Sequence, residues 1–209
     1  MKYFILNHPP LIERKEVITG SLKRESVDYK IVDKFVPGTF DYESITNTNY
    51  NEHRDIPIHQ LNGFSYLNNP NKVGQSSISL ILKHMECWKE QIELGLDYVV
   101  ILEDDCEIPF GFKDYIQSIE SEFVKSDYDL VMVGTFTGFE SPDISDNILK
   151  YHKDQKTRCT HCYIISIDAA KKMIDGFKNL NNSIDFKMNE LIQINNLKVA
   201  WVEPGLKQI

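Results

Sequence analysis

Three carboxylates stand side by side, Glu103, Asp104 and Asp105, directly after the apolar run Tyr98-Val99-Val100-Ile101-Leu102. A short, β-branched run bounded by Gly95 and Pro109 reads as a strand buried on both faces inside an α/β sheet. Side chains at the carboxyl end of such a strand open into the crevice where α/β proteins bind ligands. Adjacent negative charges repel one another unless a cation or hydrogen-bond donors offset them. The chemistry that fits is a divalent metal gripping a phosphorylated ligand; the competing reading is a solvated acidic turn. In an extended strand Glu103 and Asp105 point one way, as a pair of metal ligands would, and Asp104 the other. If the chain has already turned there, the alternation fails and Asp104 becomes the candidate.

The elements that must position this stretch alternate along the chain. Tyr3-Phe4-Ile5-Leu6 reads as a strand broken by Pro9-Pro10. A helix follows from about Leu11 to Lys23, with Leu11, Lys15, Ile18 and Leu22 near one face. Tyr29-Lys30-Ile31-Val32 is a second strand, so this span is a βαβ unit with a parallel pair. After Ser76-Ser77, Ile78, Ile81, Met85, Trp88 and Ile92 recur at helical spacing until Gly95, with Lys83 and His84 inside that helix. Phe112 to Lys125, Ile167 to Phe177 and Ile184 to Asn195 read as helices. Asp129–Gly134, Cys162–Ile165 and Lys198–Val202 read as strands, the last ending at Pro204. Two long polar stretches, Pro37–Asn71 and Thr137–Thr157, interrupt the pattern; the first carries Phe40, Tyr42, Tyr50, Phe64 and Tyr66. No repeat or linker divides residues 1–209, so one α/β domain is expected, a Rossmann-like, mostly parallel sheet flanked by helices with two loops on its rim.

Composition narrows the functional classes. With 42% hydrophobic and 26% charged residues the 209-residue chain matches an ordinary globular protein. A net charge of −8 argues against a general nucleic-acid binder. The opening Met1–Asn7 meets His8-Pro9-Pro10 at once, too soon for a secretory h-region. No apolar run reaches the length of a membrane span, which leaves peripheral membrane contact open. Cys87, Cys106, Cys159 and Cys162 fit reduced thiols in a cytoplasmic protein. Cys159-Thr160-His161-Cys162 has a zinc-like spacing, but no second pair of ligands completes a site.

The ordered set of motifs resembles glycosyltransferase family 25, the lipooligosaccharide and procollagen galactosyltransferase group. Asn7 after the first strand with Glu13-Arg14-Lys15, His84-x-x-x-Trp88 and Ile101-Leu102-Glu103-Asp104-Asp105 match in family order. So do Asp129-Leu130-Val131 before Gly134, Tyr163-Ile164-Ile165-Ser166 with Ala169 or Ala170, Ile184-Asp185, and Pro204 followed by Gln208. The chain departs from that pattern at Lys83, where the family usually has Ser, and around Asp33, where the match is partial.

The resemblance implies a GT-A-like fold and an inverting, metal-dependent transfer of a hexose, galactose by the family's naming, from a UDP-sugar. The acceptor is then a hydroxyl on a glycan, a lipid-linked oligosaccharide or a protein. Mn²⁺ or Mg²⁺ would bridge phosphate oxygens and protein carboxylates. Glu103 and Asp105 have the spacing of an Asp-x-Asp type motif, with His161 a possible nitrogen ligand. Arg14, His84, Asp104 and Gln208 are the candidates for contacts with the donor. Inverting transfer needs a general base; Asp185 is the candidate and Glu190 the runner-up. Two rivals are a metal-dependent nucleotidyltransferase or phosphohydrolase, and a sugar- or nucleotide-binding module without turnover. The first would be favoured by a Gly-rich phosphate loop after the first strand, where His8-Pro9-Pro10 stands instead.

Overall fold

The computed structural model describes residues 1–41, 45, 73–135, 147–151, 155–177, 180 and 182–208. In chain order the elements are β1 (Lys2–Leu6), α1 (Ile12–Arg24), β2 (Tyr29–Val32), α2 (Gln75–Glu93), β3 (Tyr98–Glu103), α3 (Phe112–Phe123), β4 (Leu130–Gly134), β5 (Leu149–Tyr151), β6 (Cys162–Ser166), α4 (Ile167–Gly176), α5 (Ile184–Ile194) and β7 (Val199–Leu206). The strands form one seven-stranded sheet in the order β2-β1-β3-β6-β4-β7-β5. β2, β1 and β3 are mutually parallel, as are β4 and β7, while β6 and β5 run against their neighbours.

Alternation along the strands divides the core in two. Phe4, Ile101, Met132, Tyr163 and Trp201 face one side, where residues of α2, α4 and α5 cover them. Ile5, Leu102, Val133, Ile164 and Val202 face the other side, with residues of α1 and α3. The central strands are buried on both faces, which is why they read as unbroken apolar runs.

The direction of β6 matters for function. A strand that runs antiparallel starts where its parallel neighbours end. The residues just before β6, Thr160 and His161, therefore lie at the carboxyl edge of β3, where the His161 carbonyl accepts the Glu103 N–H at 2.9 Å. The helices run back against the parallel strands, so α5 opens at the same edge and carries Asp185 in its first turn.

Three expectations need correction. Leu11 is the residue before α1 and is exposed; Ile18 and Leu22 make the buried face. Within the stretch expected to be a loop from Thr137 to Thr157, Leu149–Tyr151 forms the edge strand β5. The last strand does not stop at Pro204 but runs to Leu206, across a cis Glu203–Pro204 bond. Most of the first long polar stretch, with Tyr42, Tyr50, Phe64 and Tyr66, lies outside the described residues. Its described aromatic, Phe40, packs against the core.

Candidate active site

β3 ends at Glu103, and the chain turns at Asp104 and Asp105. The three carboxylates consequently take three different environments. Asp104 is 6% exposed, and its Oδ2 accepts from Asn7 Nδ2 at 2.9 Å and from the His8 N–H at 2.8 Å. Arg14 Nη1 lies 3.7 Å from its Oδ1. Its own N–H continues the ladder to the Leu6 carbonyl at 3.0 Å. Asp104 thus ties the end of β1 to the end of β3, and its oxygens are spent on the protein itself.

Asp105 is placed differently. Its Oδ2 accepts from Gln208 Nε2 at 2.7 Å and lies 3.3 Å from Arg14 Nη1. Its Oδ1 is buried and has no hydrogen-bond partner among the described residues. Burial pushes this carboxyl up, with Glu103 and Asp104 adding repulsion, against the lowering by Gln208 and Arg14. Gln208 reaches it because the chain after β7 comes back beside residues 106–107: Cys106 bridges Gln208, and the Glu107 N–H donates to the Lys207 carbonyl at 2.9 Å.

Glu103 points toward α2. Its Oε1 lies 3.5 Å from Nε2 of the fully buried His84, just outside a hydrogen bond. Burial raises the Glu103 carboxyl, but the nearby His84, Thr160 and His161 outweigh it and hold it below the usual range. Asp185, in the first turn of α5, feels the charge of Glu103. Burial first, and the Glu103 charge second, push the Asp185 carboxyl up. A carboxylate with a raised pKa is a stronger base, which suits proton removal from a hydroxyl.

The buried polar atoms left without a partner concentrate here. Among the described residues there are six, and five of them are Asn7 Oδ1, His84 Nε2, Glu103 Oε1, Asp105 Oδ1 and His161 Nδ1. Native proteins pair nearly all such atoms, so a cluster of exceptions marks a place where a ligand completes the set. Three of the five are oxygen acceptors, the atoms a hard cation or a hydroxyl-bearing ligand takes.

Arg14, His84, Glu103, Asp104, Asp105, His161, Asp185 and Gln208 therefore converge on one edge of the sheet. Glu190 does not join them as a base; it pairs with Lys187 Nζ at 3.0 Å. His161 is turned away from simple metal binding: its Nε2 faces the Leu206 carbonyl at 2.9 Å, and its ring lies where a side chain on Gly134 would fall. Among the described residues no three His, Cys, Asp or Glu side chains form a ready-made metal cage, so Glu103, Asp105 and His161 are not assembled as one. What fits a hard cation is Oδ1 of Asp105, a buried carboxylate oxygen without a partner among the described residues.

Sequence reasoning treated two site residues too lightly. Lys83 is only 4% exposed, and the carboxylates that act on its ammonium are Asp104, Asp33 and Glu103. Burial nevertheless lowers its pKa. Helical spacing places Lys83 off the apolar stripe, but nothing in that spacing says the helix is covered on that side as well. Thr160 stood only inside a zinc-like spacing; the antiparallel entry into β6 is what brings it to the end of β3, next to the His161 carbonyl that accepts the Glu103 N–H.

The model of glycosyltransferase family 25, described as an LPS biosynthesis protein, matches residues 1–188. The chain belongs to glycosyltransferase family 25. Over 177 residues it is 25% identical to procollagen galactosyltransferase 1-B of Xenopus laevis, a match covering 83% of this chain and 28% of that protein. It is 21% identical to human procollagen galactosyltransferase 2, over 82% of this chain and 27% of the relative. The family 25 chain thus spans less than a third of the curated relatives it matches. A crystal structure of a glycosyltransferase involved in the glycosylation of the major capsid of PBCV-1 superposes with a TM-score of 0.51 at 6% identity. That alignment covers 97% of this chain and 82% of the other, and the likeness is one of fold. Its seven-stranded α/β sheet flanked by helices is a GT-A-like fold. Among the described residues no helix is long and apolar enough to cross a membrane.

Proposed function

We propose that this glycosyltransferase is a metal-dependent, inverting hexosyltransferase that moves galactose from a UDP-sugar to a hydroxyl of a glycan, lipooligosaccharide or protein acceptor. The observation that carries the metal and donor parts is the free, buried Oδ1 of Asp105, on a carboxylate whose other oxygen is fixed by Gln208 and Arg14. The names of the curated relatives support galactose as the sugar.

Asp105 would hold Mn²⁺ or Mg²⁺ through Oδ1. The ion, when bound, neutralises the charge that builds on the departing diphosphate. Arg14, at the mouth with its side chain 43% exposed, adds positive charge to the same diphosphate. Gln208 and Arg14 hold the Asp105 carboxylate in orientation. Asp104 keeps β1 and β3 at a fixed spacing so that the donor finds a preformed crevice.

Asp185 takes the proton of the acceptor hydroxyl as its oxygen forms a bond to the anomeric carbon. The bond from that carbon to the diphosphate oxygen breaks on the opposite face, and UDP leaves with the electron pair. Inversion of the anomeric centre follows from this single displacement.

The test combines calorimetric titration of UDP with and without Mn²⁺ and a transfer assay with UDP-galactose whose product anomer is read by NMR. Tight UDP binding that needs Mn²⁺ and is lost in Asp105→Asn supports the reading. Metal-independent UDP binding, or a product that retains the donor's anomeric configuration, overturns it.

A further inference from the structure

Behind the carboxylates lies a chain of three fully buried aromatic and heteroaromatic side chains, Trp88, Tyr163 and His84. Trp88 Nε1 donates to the Tyr163 hydroxyl at 3.1 Å, and that hydroxyl lies 2.8 Å from His84 Nδ1. The His84 and Tyr163 rings stack with centroids 5.6 Å apart and 22° between their planes. On its other side, His84 turns Nε2 toward Glu103 Oε1 at 3.5 Å. Neither of those two atoms has another partner among the described residues.

Donor and acceptor rules fix where the protons sit. An indole N–H only donates, so the Tyr163 oxygen accepts from Trp88. Burial raises the Tyr163 pKa well above the ordinary tyrosine value, so the hydroxyl keeps its proton. The nearest acceptor for that proton is His84 Nδ1. A neutral imidazole that accepts at Nδ1 carries its hydrogen on Nε2. That hydrogen is then aimed at Glu103.

We propose that His84 is a positioning residue, locked by the Trp88–Tyr163 pair with its proton on Nε2, which holds Glu103 in place at the carboxyl end of β3. With its hydrogen on Nε2, His84 is the donor that faces Glu103 Oε1, a buried acceptor with no hydrogen-bond partner among the described residues. The 3.5 Å gap between His84 and Glu103 is of the kind that closes in a substrate complex. This role rests on the glycosyl-transfer reading, in which Glu103 and Asp185 flank the reacting sugar; the proton position does not.

Two measurements test it. Histidine ¹⁵N–¹H NMR of the full chain reads the tautomer directly. The expected wild-type result is an Nε2-protonated His84, and in Tyr163→Phe a shift toward averaging of the two tautomers. An Nδ1-protonated ring in the wild type overturns the proposal. The kinetic test uses the fact that Gln places its amide nitrogen near the position of Nε2, whereas Asn places it near Nδ1. His84→Asn is expected to lower kcat about 10–100-fold, the usual loss when a buried orienting partner goes, with the donor KM little changed. His84→Gln is expected to recover most of that loss. Equal damage in both variants, with melting temperatures like the wild type, overturns the positioning role. If the wild-type protein transfers no sugar at all, the proposed function fails, and the NMR result still decides the relay.

Discussion

Asn7 Nδ2 donates to Asp104 Oδ2 at 2.9 Å, across 97 residues of sequence, and the His8 N–H adds a second bond to the same oxygen. One carboxylate thereby closes the ends of two parallel strands. Its neighbour Asp105 keeps one oxygen buried and unused. The division of labour makes a direct prediction. Asp104→Ala leaves two donors without an acceptor at the sheet edge and should cost about 2–4 kcal/mol of stability. Asp105→Asn should leave the denaturant midpoint close to wild type and abolish Mn²⁺-dependent UDP binding. Chemical denaturation and calorimetry on the two variants separate these outcomes. Loss of stability at Asp105 with none at Asp104 would reverse the assignment.

That division also shows what the sequence could tell and what it could not. The apolar run before Glu103 announces a buried strand, and strand-end carboxylates announce a site. Period alone cannot say where extended structure stops, and the turn at Asp104 decides which oxygen is free. The helical spacing of Ile78, Ile81, Met85 and Trp88 marks the covered stripe of α2 but is silent on Lys83, whose burial comes from elements distant in sequence. A five-residue apolar run such as Cys162–Ser166 has no arrow. The antiparallel direction of β6, which carries Thr160 and His161 into the site, depends on the route of the preceding chain. β5 has three residues, with the buried Lys150 at its centre between Leu149 and Tyr151, too few for a period to show.

Asp185 should show its role in two opposed readouts. As the base it must be deprotonated, so kcat should fall as pH drops through its raised pKa, and the acidic limb should lie above that of an ordinary aspartate. Asp185→Asn should lower kcat about 10²–10⁴-fold while UDP binding persists. Stability runs the other way. A carboxyl whose folded pKa is raised contributes stability below its unfolded pKa and loses it as pH rises through the folded value. At pH 7 the ionised Asp185 is thus a cost, and Asp185→Asn should melt no lower than wild type and above it if the carboxylate is fully charged. A variant that is both inactive and unfolded would remove Asp185 from the site and make it a structural residue.

Gly134 supports the site from β4. A Cβ there would fall 2.6 Å from His161 Nε2 and 2.7 Å from Cε1, inside any real contact. Since His161 Nε2 faces the Leu206 carbonyl at 2.9 Å and its own carbonyl accepts from Glu103, the ring cannot retreat without disturbing β7 or β3. Gly134→Ala should therefore destabilise by about 1–3 kcal/mol, the range for overpacking a filled interior. UDP affinity should fall with it as Glu103 shifts. Unchanged thermal melting would show that His161 has room to move.

Cys159 offers a chemical probe of the same charges. Its thiol is only partly covered, yet burial and the neighbouring Asp185 push its pKa up to about 12, with Glu103 and Asp105 adding to the effect against Arg158. The thiolate is the reactive form. At pH 8 nearly all of Cys159 is protonated, so it should react with iodoacetamide much more slowly than a free cysteine in solution, as followed by peptide mass spectrometry. Asp185→Asn removes the leading charge and should speed that reaction, because the folded-state pKa drops. Binding of Mn²⁺ with UDP has two opposing consequences, since positive charge near Asp105 favours the thiolate while the ligand covers it. Comparing Mn²⁺ alone with Mn²⁺ plus UDP separates them: the ion by itself should accelerate labelling, and the nucleotide should slow it again. Fast labelling in the wild-type protein without either ligand would place Cys159 away from these carboxylates.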